Sequence, residues 1–378
     1  MPFRWYQICR RDDLGTTKAW KYDKLTKGAL SALKVTVEAQ NGATSNKTNP
    51  VHMNVEGISI TDGSYIAWSL PGPIGRAVSI LNDQSLASTK WSEQGSGWQG
   101  DEWLLRFGDY LGDPLKYLSL DTMANPLLQV DWDEAEVRAA SATGYLTDSG
   151  RINVLALIDT DRLGRAPNGY HRMRKIDDWT SLSSGDHDTT VDVEFPVRSL
   201  FLRAYYISGE PGEMISKGKL TFDADAFVPL DEYIEDVMQR NVQEFKQVGN
   251  FGARIMTQNG LWFNGPLSHV QNCLVVTTQT GATLRHTNID GKYAHGAHIR
   301  LYDNAGVGIA ADEEIDVIWS GYCPLACVGW RWQGPGFGDV PLPANKYSKG
   351  TFKFTQAIAG AACTVAQEQI AVQPARTV

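Results

Sequence analysis

Histidine and cysteine residues in the second half of the chain are the first candidates for chemistry, because both side chains bind zinc. His295 and His298 lie three positions apart, with His286 nearby. Structural zinc sites usually take their cysteines as pairs separated by two residues, whereas Cys323 and Cys327 are separated by three. We therefore expect hydrogen-bonded or solvent-exposed histidines and predict no zinc site.

Aspartates are the second candidates, because Ca²⁺ prefers carboxylate and carbonyl oxygens. Asp223 and Asp225 are separated by one residue. A denser acidic segment upstream contains Asp177, Asp178, Asp186 and Asp188. The chain has no twelve-residue loop with the EF-hand pattern, so aspartates that stabilise turns are the favoured interpretation. We keep Asp223 and Asp225 as candidate ligands of a structural calcium ion and expect no other cofactor.

A glycoside hydrolase would need two carboxylates that face each other across a sugar, often in a cleft with tryptophans. The first half of the chain supplies these residue types as Trp98, Asp101, Glu102, Trp103, Trp132, Asp133 and Glu134. Tryptophans packed on the end of a β-barrel are the commoner outcome of such a pattern. The chain also lacks a phosphate-binding loop, a dinucleotide fingerprint that opens a helix and a nucleophile elbow. We predict no catalytic residues and a protein that is not an enzyme.

A local pattern of strands followed by a helix occurs twice in the sequence, about one half-chain apart. Any functional site must be positioned by these elements. In the second copy, residues 190–195 and 219–223 alternate apolar and polar side chains. Residues 200–207 form a nearly continuous apolar run between them. An amphipathic helix follows, with Asp231 as its predicted cap.

The first copy is recognised mainly by the order of its elements. It has predicted strands at residues 32–37, 51–55 and 58–60, and a helical turn at residues 75–81. A fold built from two similar β-rich units is usually a structural or binding protein.

Turn residues between short apolar runs predict an all-β fold with two β-barrels or β-sandwiches in tandem, each with a short helix. A linker rich in glycine, proline and charge is predicted at residues 159–169. We assign residues 28–162 to the first unit and residues 163–378 to the second. A long, loop-rich insertion is predicted in the second unit at about residues 250–345.

The net charge of −8 argues against a protein that grips nucleic acid over a large face, and we predict no sequence-specific nucleic acid binding. Residues 1–27 are the exception, because they combine basic and aromatic side chains and form a predicted N-terminal arm. Its candidate contact residues are Arg4, Trp5, Arg10, Arg11, Lys18, Trp20 and Lys21. Such an arm suits an anionic lipid surface or a phosphate backbone, and docking on its own domain is the alternative.

Five cysteines form no disulfide framework, and we interpret them as reduced thiols. The chain has no apolar run long enough to span a membrane and no apolar segment of a secretory signal at its N-terminus. We therefore expect synthesis and folding in a cytoplasm.

The stretch from residue 170 to residue 246 resembles one unit of the double jelly-roll major capsid proteins. These are coat proteins of icosahedral, usually membrane-containing viruses such as corticoviruses and tectiviruses. The resemblance is carried by residues 173–176, 195–197, 200–206, 208–212 and 219–223 and by the helix near Asp231. Residues 104–108 and 127–131 resemble later strands of the partner unit.

This resemblance implies two jelly-roll barrels per chain and a homotrimer with six similar lobes, which tiles an icosahedral virion shell. It also implies contacts with neighbouring trimers and with penton or minor capsid proteins. It would turn the N-terminal arm inward, toward an internal lipid membrane. The insertion at about residues 250–345 would project as a tower or loop crown.

Two other functions stay open at this point. A virion spike or another receptor- or carbohydrate-binding β-sandwich would stack sugars on exposed tryptophans. The candidates for that role are Trp98, Trp262, Trp330 and Trp332. The other alternative is a glycoside hydrolase that uses Glu102 or Glu134.

Overall fold

A computed structural model places the chain in two β-barrels that follow one another in sequence. It describes residues 3–15, 19–42, 50–83, 89–90, 96–134, 145–162, 166–206, 211–245, 252–256, 262–266, 296–300, 314–318, 323–334 and 340–373.

The first barrel consists of two antiparallel sheets. Its elements are β1 (Arg4–Asp13), β2 (Ala19–Tyr22), β3 (Ala29–Gln40), α1 (Val51–Asn54), β4 (Val55–Asp62), β5 (Tyr65–Leu70), α2 (Gly72–Asp83), β6 (Thr89–Lys90), β7 (Trp98–Arg106), β8 (Leu118–Ser119), β9 (Pro126–Trp132) and β10 (Arg151–Asp159). One sheet has the order β1-β10-β3-β7-β6, with β8 paired to β3. The other has the order β2-β9-β4-β5. Strand β3 shows the alternation, with Val35 and Val37 in the core and Lys34 and Thr36 facing outward.

The second barrel has the same two-sheet construction. Its elements are β11 (Tyr170–Thr180), β12 (Asp186–Val191), β13 (Val197–Tyr205), α3 (Pro211–Met214), β14 (Ile215–Phe222), β15 (Phe227–Tyr233), α4 (Ile234–Glu244), β16 (Gly252–Met256), β17 (Trp262–Pro266), β18 (Gly296–Arg300), β19 (Glu314–Ile318), β20 (Cys327–Arg331), β21 (Gly350–Gln356) and β22 (Ala362–Ala371). The sheets have the orders β11-β22-β13-β20 and β12-β21-β14-β15. Two separate hairpins, β16-β17 and β18-β19, lie within the predicted insertion.

The two barrels share one topology. When the eight main strands of each barrel are counted in chain order, strands 1, 8, 3 and 6 form one sheet and strands 2, 7, 4 and 5 form the other. A helix precedes the fourth strand and a second helix follows the fifth in both barrels. This order is that of a jelly roll, so the expectation of two tandem jelly rolls, each with a short helix, is confirmed.

Two local features differ from the sequence-based expectations. Residues 51–54 form the buried helical turn α1 after Pro50, not the start of a strand. Asp231 does not cap a helix, because β15 stays paired with β14 as far as Tyr233 and α4 begins only at Ile234. Asp231 instead forms an ion pair with Lys217 at 2.7 Å.

Residues assigned to an N-terminal arm lie in the sheets of the first barrel. Strand β1 pairs with β10, and strand β2 pairs with β9, each at the edge of its sheet. They are the first two strands of the first jelly roll.

One continuous eight-stranded sheet joins the barrels. Strand β5 of the first barrel runs parallel to β11 of the second, with Trp68 opposite Met173 and Ser69 opposite Arg174. Strand β10 ends at Asp159 and β11 begins at Tyr170, on either side of the segment predicted as a linker.

Candidate functional site

Strand β13 is buried on both faces because it lies between the two barrels. Val197, Leu200 and Leu202 belong to the core of the second barrel. Phe201 packs instead with the core of the first barrel. The sheet formed by β22, β13 and β20 therefore has no solvent-facing side along β13, and its outer face is the junction between the barrels.

Helix α2 of the first barrel packs on this outer face. It contacts β20 and the 3-10 turn Pro324–Ala326 of the second barrel. Near its end, Asn82 donates to Glu368 of β22 at 3.4 Å and also contacts the guanidinium of Arg331. The helix thus makes polar contacts with two strands of the neighbouring barrel.

A buried ionic cluster at the junction combines residues from both barrels. Nε2 of His171 lies 3.1 Å from the carboxylate of Asp109, and Nδ1 lies 3.4 Å from Glu368. Arg198 Nη1 is 2.7 Å from Glu368, and Lys116 Nζ is 2.7 Å from Asp109. We call Asp109, Lys116, His171, Arg198 and Glu368 the His171 cluster. Its members form a chain of ion pairs and hydrogen bonds from one barrel to the other.

The protonation states in the His171 cluster follow from burial and charge. Burial and the positive charge of Arg198 lower the pKa of His171 to about 4, so the imidazole is neutral at pH 7. Burial alone would raise the pKa of Glu368, but Arg198 outweighs it and holds this pKa at about 2. The pKa of Asp109 is also lowered, because His171 and Lys116 donate to its carboxylate and outweigh its burial.

A second cluster repeats this arrangement around His52 of α1. His52 Nδ1 and its backbone N–H both donate to Asp101 Oδ2 at 2.8 Å. Arg76 of α2 lies 2.8 Å from the other oxygen of Asp101. Arg203 of β13 reaches the neighbouring residue Met53 at 3.9 Å. Burial lowers the pKa of His52 to about 4 against the opposing effect of Asp101. We call His52, Arg76, Asp101 and Arg203 the His52 cluster.

Hydrogen bonds also cross the junction beside the parallel strands β5 and β11. The hydroxyl oxygens of Tyr65 and Tyr170 lie 2.5 Å apart. Arg172 donates to the backbone carbonyl of Ile66 at 3.0 Å and forms an ion pair with Glu194 at 2.6 Å. The junction therefore has directional contacts along its whole length, which oppose rotation of one barrel against the other.

In both barrels, a helix side chain bonds to the backbone of the sixth main strand. Asn241 of α4 donates to the carbonyl of Gly329 and accepts from its N–H, both at 2.7 Å. Ser79 of α2 accepts from the N–H of Leu104 at 3.2 Å and lies 3.1 Å from its carbonyl. Each is the eighth residue of its helix. Among the described strands, β20 pairs on one side with β13, and this contact lies at its other edge.

The basic and aromatic residues predicted for the arm lie on the two edge strands of the first barrel. Arg4, Trp5, Arg10 and Arg11 are exposed on β1, and Lys21 is exposed on β2. Trp20 is half-buried against the core and stacks with Tyr22 at 6.0 Å between ring centroids. Lys18 lies outside the described residues.

The two candidate calcium ligands have other partners. Asp223 Oδ1 accepts from the backbone N–H groups of Ser348 and Lys349 at 3.0 Å and from the Ser348 hydroxyl at 2.7 Å. Asp225 lies 3.4 Å from Lys219. The residues from Asp223 to Asp225 all have positive φ, so they form a left-handed turn between β14 and β15. Asp223 thus ties this turn to the start of β21.

The predicted sugar-binding and hydrolase residues do not form an open cleft. Asp101 and Trp103 point into the first barrel, whereas Glu102 points outward and pairs with Lys34 at 2.6 Å. Glu134 is buried and accepts from the backbone N–H of Asp148 at 3.0 Å.

The structure describes the side chains of three of the four tryptophans that were candidates for sugar stacking. Trp98 is half-buried under Arg151, whose guanidinium lies 4.2 Å from the ring centroid. Trp330 is buried in the core of the second barrel, and Trp332 is half-buried against it. Trp262 lies in β17, and its side chain is outside the described part.

The histidine and cysteine candidates fall largely outside the described residues. His286 and His295 are not among them, and only the backbone of His298 is described, in β18. Cys323 and Cys327 are buried thiols next to the 3-10 turn at the junction. Within the described residues, no group of three or more histidine, cysteine or carboxylate side chains is arranged to hold a metal ion. No helix among them is long and apolar enough to cross a membrane.

The residues that form the ion pairs and hydrogen bonds of the junction were not identified from the sequence. The available signal was Arg198 and Arg203 within an otherwise apolar strand segment, because buried arginines need charged or polar partners. The carboxylate partners of Arg198 are Asp109 and Glu368, which lie far away in the sequence, and no local pattern connects them.

No family model and no curated protein matches the sequence, but solved structures match nearly the whole chain. The crystal structure of the major capsid protein of Sulfolobus Turreted Icosahedral Virus has a TM-score of 0.61 at 7% identity, covering 99% of this chain and 97% of that chain. The major capsid protein P2 of bacteriophage PM2 has a TM-score of 0.51 at 7% identity, covering 98% of each chain. The quasi-atomic model of the PBCV-1 virus capsid has a TM-score of 0.55 at 9% identity, covering 97% of this chain and 92% of that chain. This chain has the double jelly-roll fold of these viral major capsid proteins.

Proposed function

We propose that this chain is a viral major capsid protein with a structural role and no catalytic residues. The observation that carries the proposal is the junction, which joins two jelly rolls of equal topology into one block. A shell protein must resist mechanical load without rotation of one barrel against the other. A sheet that continues through both barrels, together with ion pairs between them, meets this requirement. The likeness to three major capsid structures over almost their full lengths supports the same role.

The proposed assembly is a homotrimer whose six barrels form a pseudo-hexagonal block, and these blocks tile an icosahedral virion shell. Within the virion, neighbouring trimers and penton or minor capsid proteins would be the partners. Synthesis would take place in the host cytoplasm.

Light scattering during gel filtration tests the trimer. We expect three times the chain mass of 41.7 kDa, and particles of hexagonal outline by negative-stain microscopy. A stable monomer at micromolar concentration, with no lattice on further concentration, would contradict the proposal.

We also propose that the exposed edge formed by β1 and β2 faces an internal lipid membrane. Arg4, Arg10 and Arg11 supply positive charge on β1, and Trp5 supplies an exposed ring that suits the interface of a bilayer. The overall charge of −8 favours a lipid surface over the genome as the inner partner.

Vesicle flotation tests this orientation. The assembled protein should float with vesicles that contain phosphatidylglycerol and not with pure phosphatidylcholine vesicles. The variant R4S/R10S/R11S should lose this binding and keep the trimer mass. Equal flotation of the variant and the native protein would refute the membrane contact and leave the capsid role intact.

A further inference from the structure

The two fully buried histidines among the described side chains both lie at the junction between the barrels. His52 is 2% exposed and His171 is 1% exposed. Each donates to an aspartate of the first barrel and lies near an arginine of β13, which belongs to the second barrel. Two separate clusters thus repeat one arrangement on one face.

The His52 cluster contains more positive than negative charge while its imidazole is neutral. His52 is faced by Asp101 of β7, Arg76 of α2 and Arg203 of β13, one anion against two cations.

The surroundings of His171 differ, because two carboxylates and one arginine face its ring, and burial is the main cause of its lowered pKa. The facing anions are Asp109, after β7, and Glu368 of β22. The cation that faces the ring is Arg198 of β13, whereas Lys116 pairs with Asp109 and Arg331 of β20 acts on Glu368. A proton on either imidazole places a positive charge on a fully buried ring, beside two arginines at His52 and beside Arg198 at His171.

We propose that the junction is an acid-sensitive joint, in which protonation of His52 and His171 loosens the contact between the barrels before the second barrel unfolds. The core of the second barrel forms a separate apolar cluster that contains neither histidine, so it stays closed when the joint opens. The proposal does not depend on the capsid role.

The direction in which pH changes the stability of the joint follows from proton linkage. The ordinary pKa of histidine is 6.5, and both imidazoles have a pKa of about 4 in the closed joint. The closed joint therefore binds fewer protons than the open joint between these values. Its stability is fully present above pH 6.5 and is lost as the pH falls from 6.5 toward 4.

Hydrogen exchange with mass spectrometry tests the joint directly. The informative peptides cover α2 and residues 168–174, where the N–H of His171 bonds to the carbonyl of Phe107 across the junction at 2.9 Å. After correction for intrinsic exchange, their protection at pH 5 should fall by on the order of tenfold or more relative to pH 7. Peptides from β14 should not change over the same range.

The matched variant is H52N/H171Q, because asparagine replaces the Nδ1 donor of His52 and glutamine replaces the Nε2 donor of His171 without a titratable proton. It should show no loss of protection at pH 5. The control variant H187Q changes a half-exposed histidine that pairs with Asp177 away from the junction, and it should behave as the native protein.

Two results would overturn the proposal. One is unchanged protection of the junction peptides between pH 7 and pH 5 in the native protein, which needs no variant. The other is an equal loss of protection in H52N/H171Q, or in the single variants H52N and H171Q if the double variant does not fold.

Discussion

The side chain of Asn241 completes the hydrogen bonding of Gly329, donating to its carbonyl and accepting from its N–H at 2.7 Å. An amide side chain thereby replaces a neighbouring strand at the edge of β20. Both outward-facing backbone groups of Gly329 are therefore satisfied and are not available for pairing with another chain.

Replacing Asn241 with alanine leaves these two buried backbone groups without their partner. We expect a loss of about 2–4 kcal/mol in the free energy of unfolding, measured by chemical denaturation. The control is Q239A at an exposed position of the same helix, which should change stability by less than about 0.5 kcal/mol. Equal effects of the two variants would contradict this role of Asn241.

Gly329 is required because there is no space for a side chain between two aromatic rings. A Cβ at this position would lie 2.9 Å from ring atoms of both Phe201 and Phe245. We expect G329A to cost roughly 1–3 kcal/mol. The control G57A places its methyl group no closer than 3.6 Å to Asp131 and should be nearly neutral. A thermal unfolding midpoint of G329A equal to that of G57A would refute the steric argument.

Removal of one partner of the Arg198–Glu368 pair should lower the free energy of unfolding strongly, whereas replacement of both partners by apolar residues should lower it little. We expect E368Q or R198M alone to destabilise the protein by about 3–5 kcal/mol, because each leaves a buried charge without its partner. The double variant R198M/E368L should recover most of that loss. A double-mutant cycle in urea measures the coupling, and additive losses would show that the pair is not coupled.

The cost of E368Q should also depend on pH. The pKa of Glu368 is about 2 in the folded protein and 4.5 ordinarily, so its ionised form contributes stability above pH 4.5. That contribution is lost as the pH falls from 4.5 toward 2. The difference in unfolding free energy between the native protein and E368Q should therefore shrink across this window. A constant difference from pH 6 to pH 3 would be inconsistent with an ionised Glu368.

The buried thiols should react slowly in the native protein. Burial raises the pKa of Cys9 and of Cys363 to about 12, and that of Cys327 well above its usual range. Cys323 is buried as well. Ellman's reagent at pH 8 should therefore label at most one of the five cysteines quickly, and all five in guanidinium. Rapid labelling of two or more native thiols would contradict this packing.

The elements that follow a local pattern were predictable from the sequence. The alternating residues 219–223 end strand β14, and the apolar face of α4, with Ile234, Val237 and Met238, is buried as its spacing requires. The order of these elements predicted two β-barrels or β-sandwiches in tandem, and the resemblance to double jelly-roll capsid proteins implied that both are jelly rolls.

Elements whose conformation depends on distant contacts were not predictable in this way. Residues 51–54 have apolar and polar types that suit a strand, but they form a helical turn because His52 is held by Asp101 and Arg76. Strand β1 contains eight exposed residues out of ten, and only its pairing with β10 places it in a sheet. The basic and aromatic composition of the same residues alone led to the prediction of an N-terminal arm.

The contacts at the junction could not be predicted from local sequence patterns, for a similar reason. Arg198 and Glu368 are 170 residues apart, and they meet because β13 and β22 are neighbours in a sheet that is buried on both faces. An apolar run with two arginines indicates such burial but does not identify which carboxylates compensate the charge.

The parallel pairing of β5 with β11 has a consequence for curvature in any shell built from this chain. A sheet that is hydrogen-bonded across the barrel boundary has no hinge there, so its twist sets the angle between the barrels. Where two facets of a shell meet at an angle, the change in direction must then occur at the contacts between chains. Shell size would accordingly be governed by those contacts and by accessory proteins, with each chain acting as a tile of constant shape.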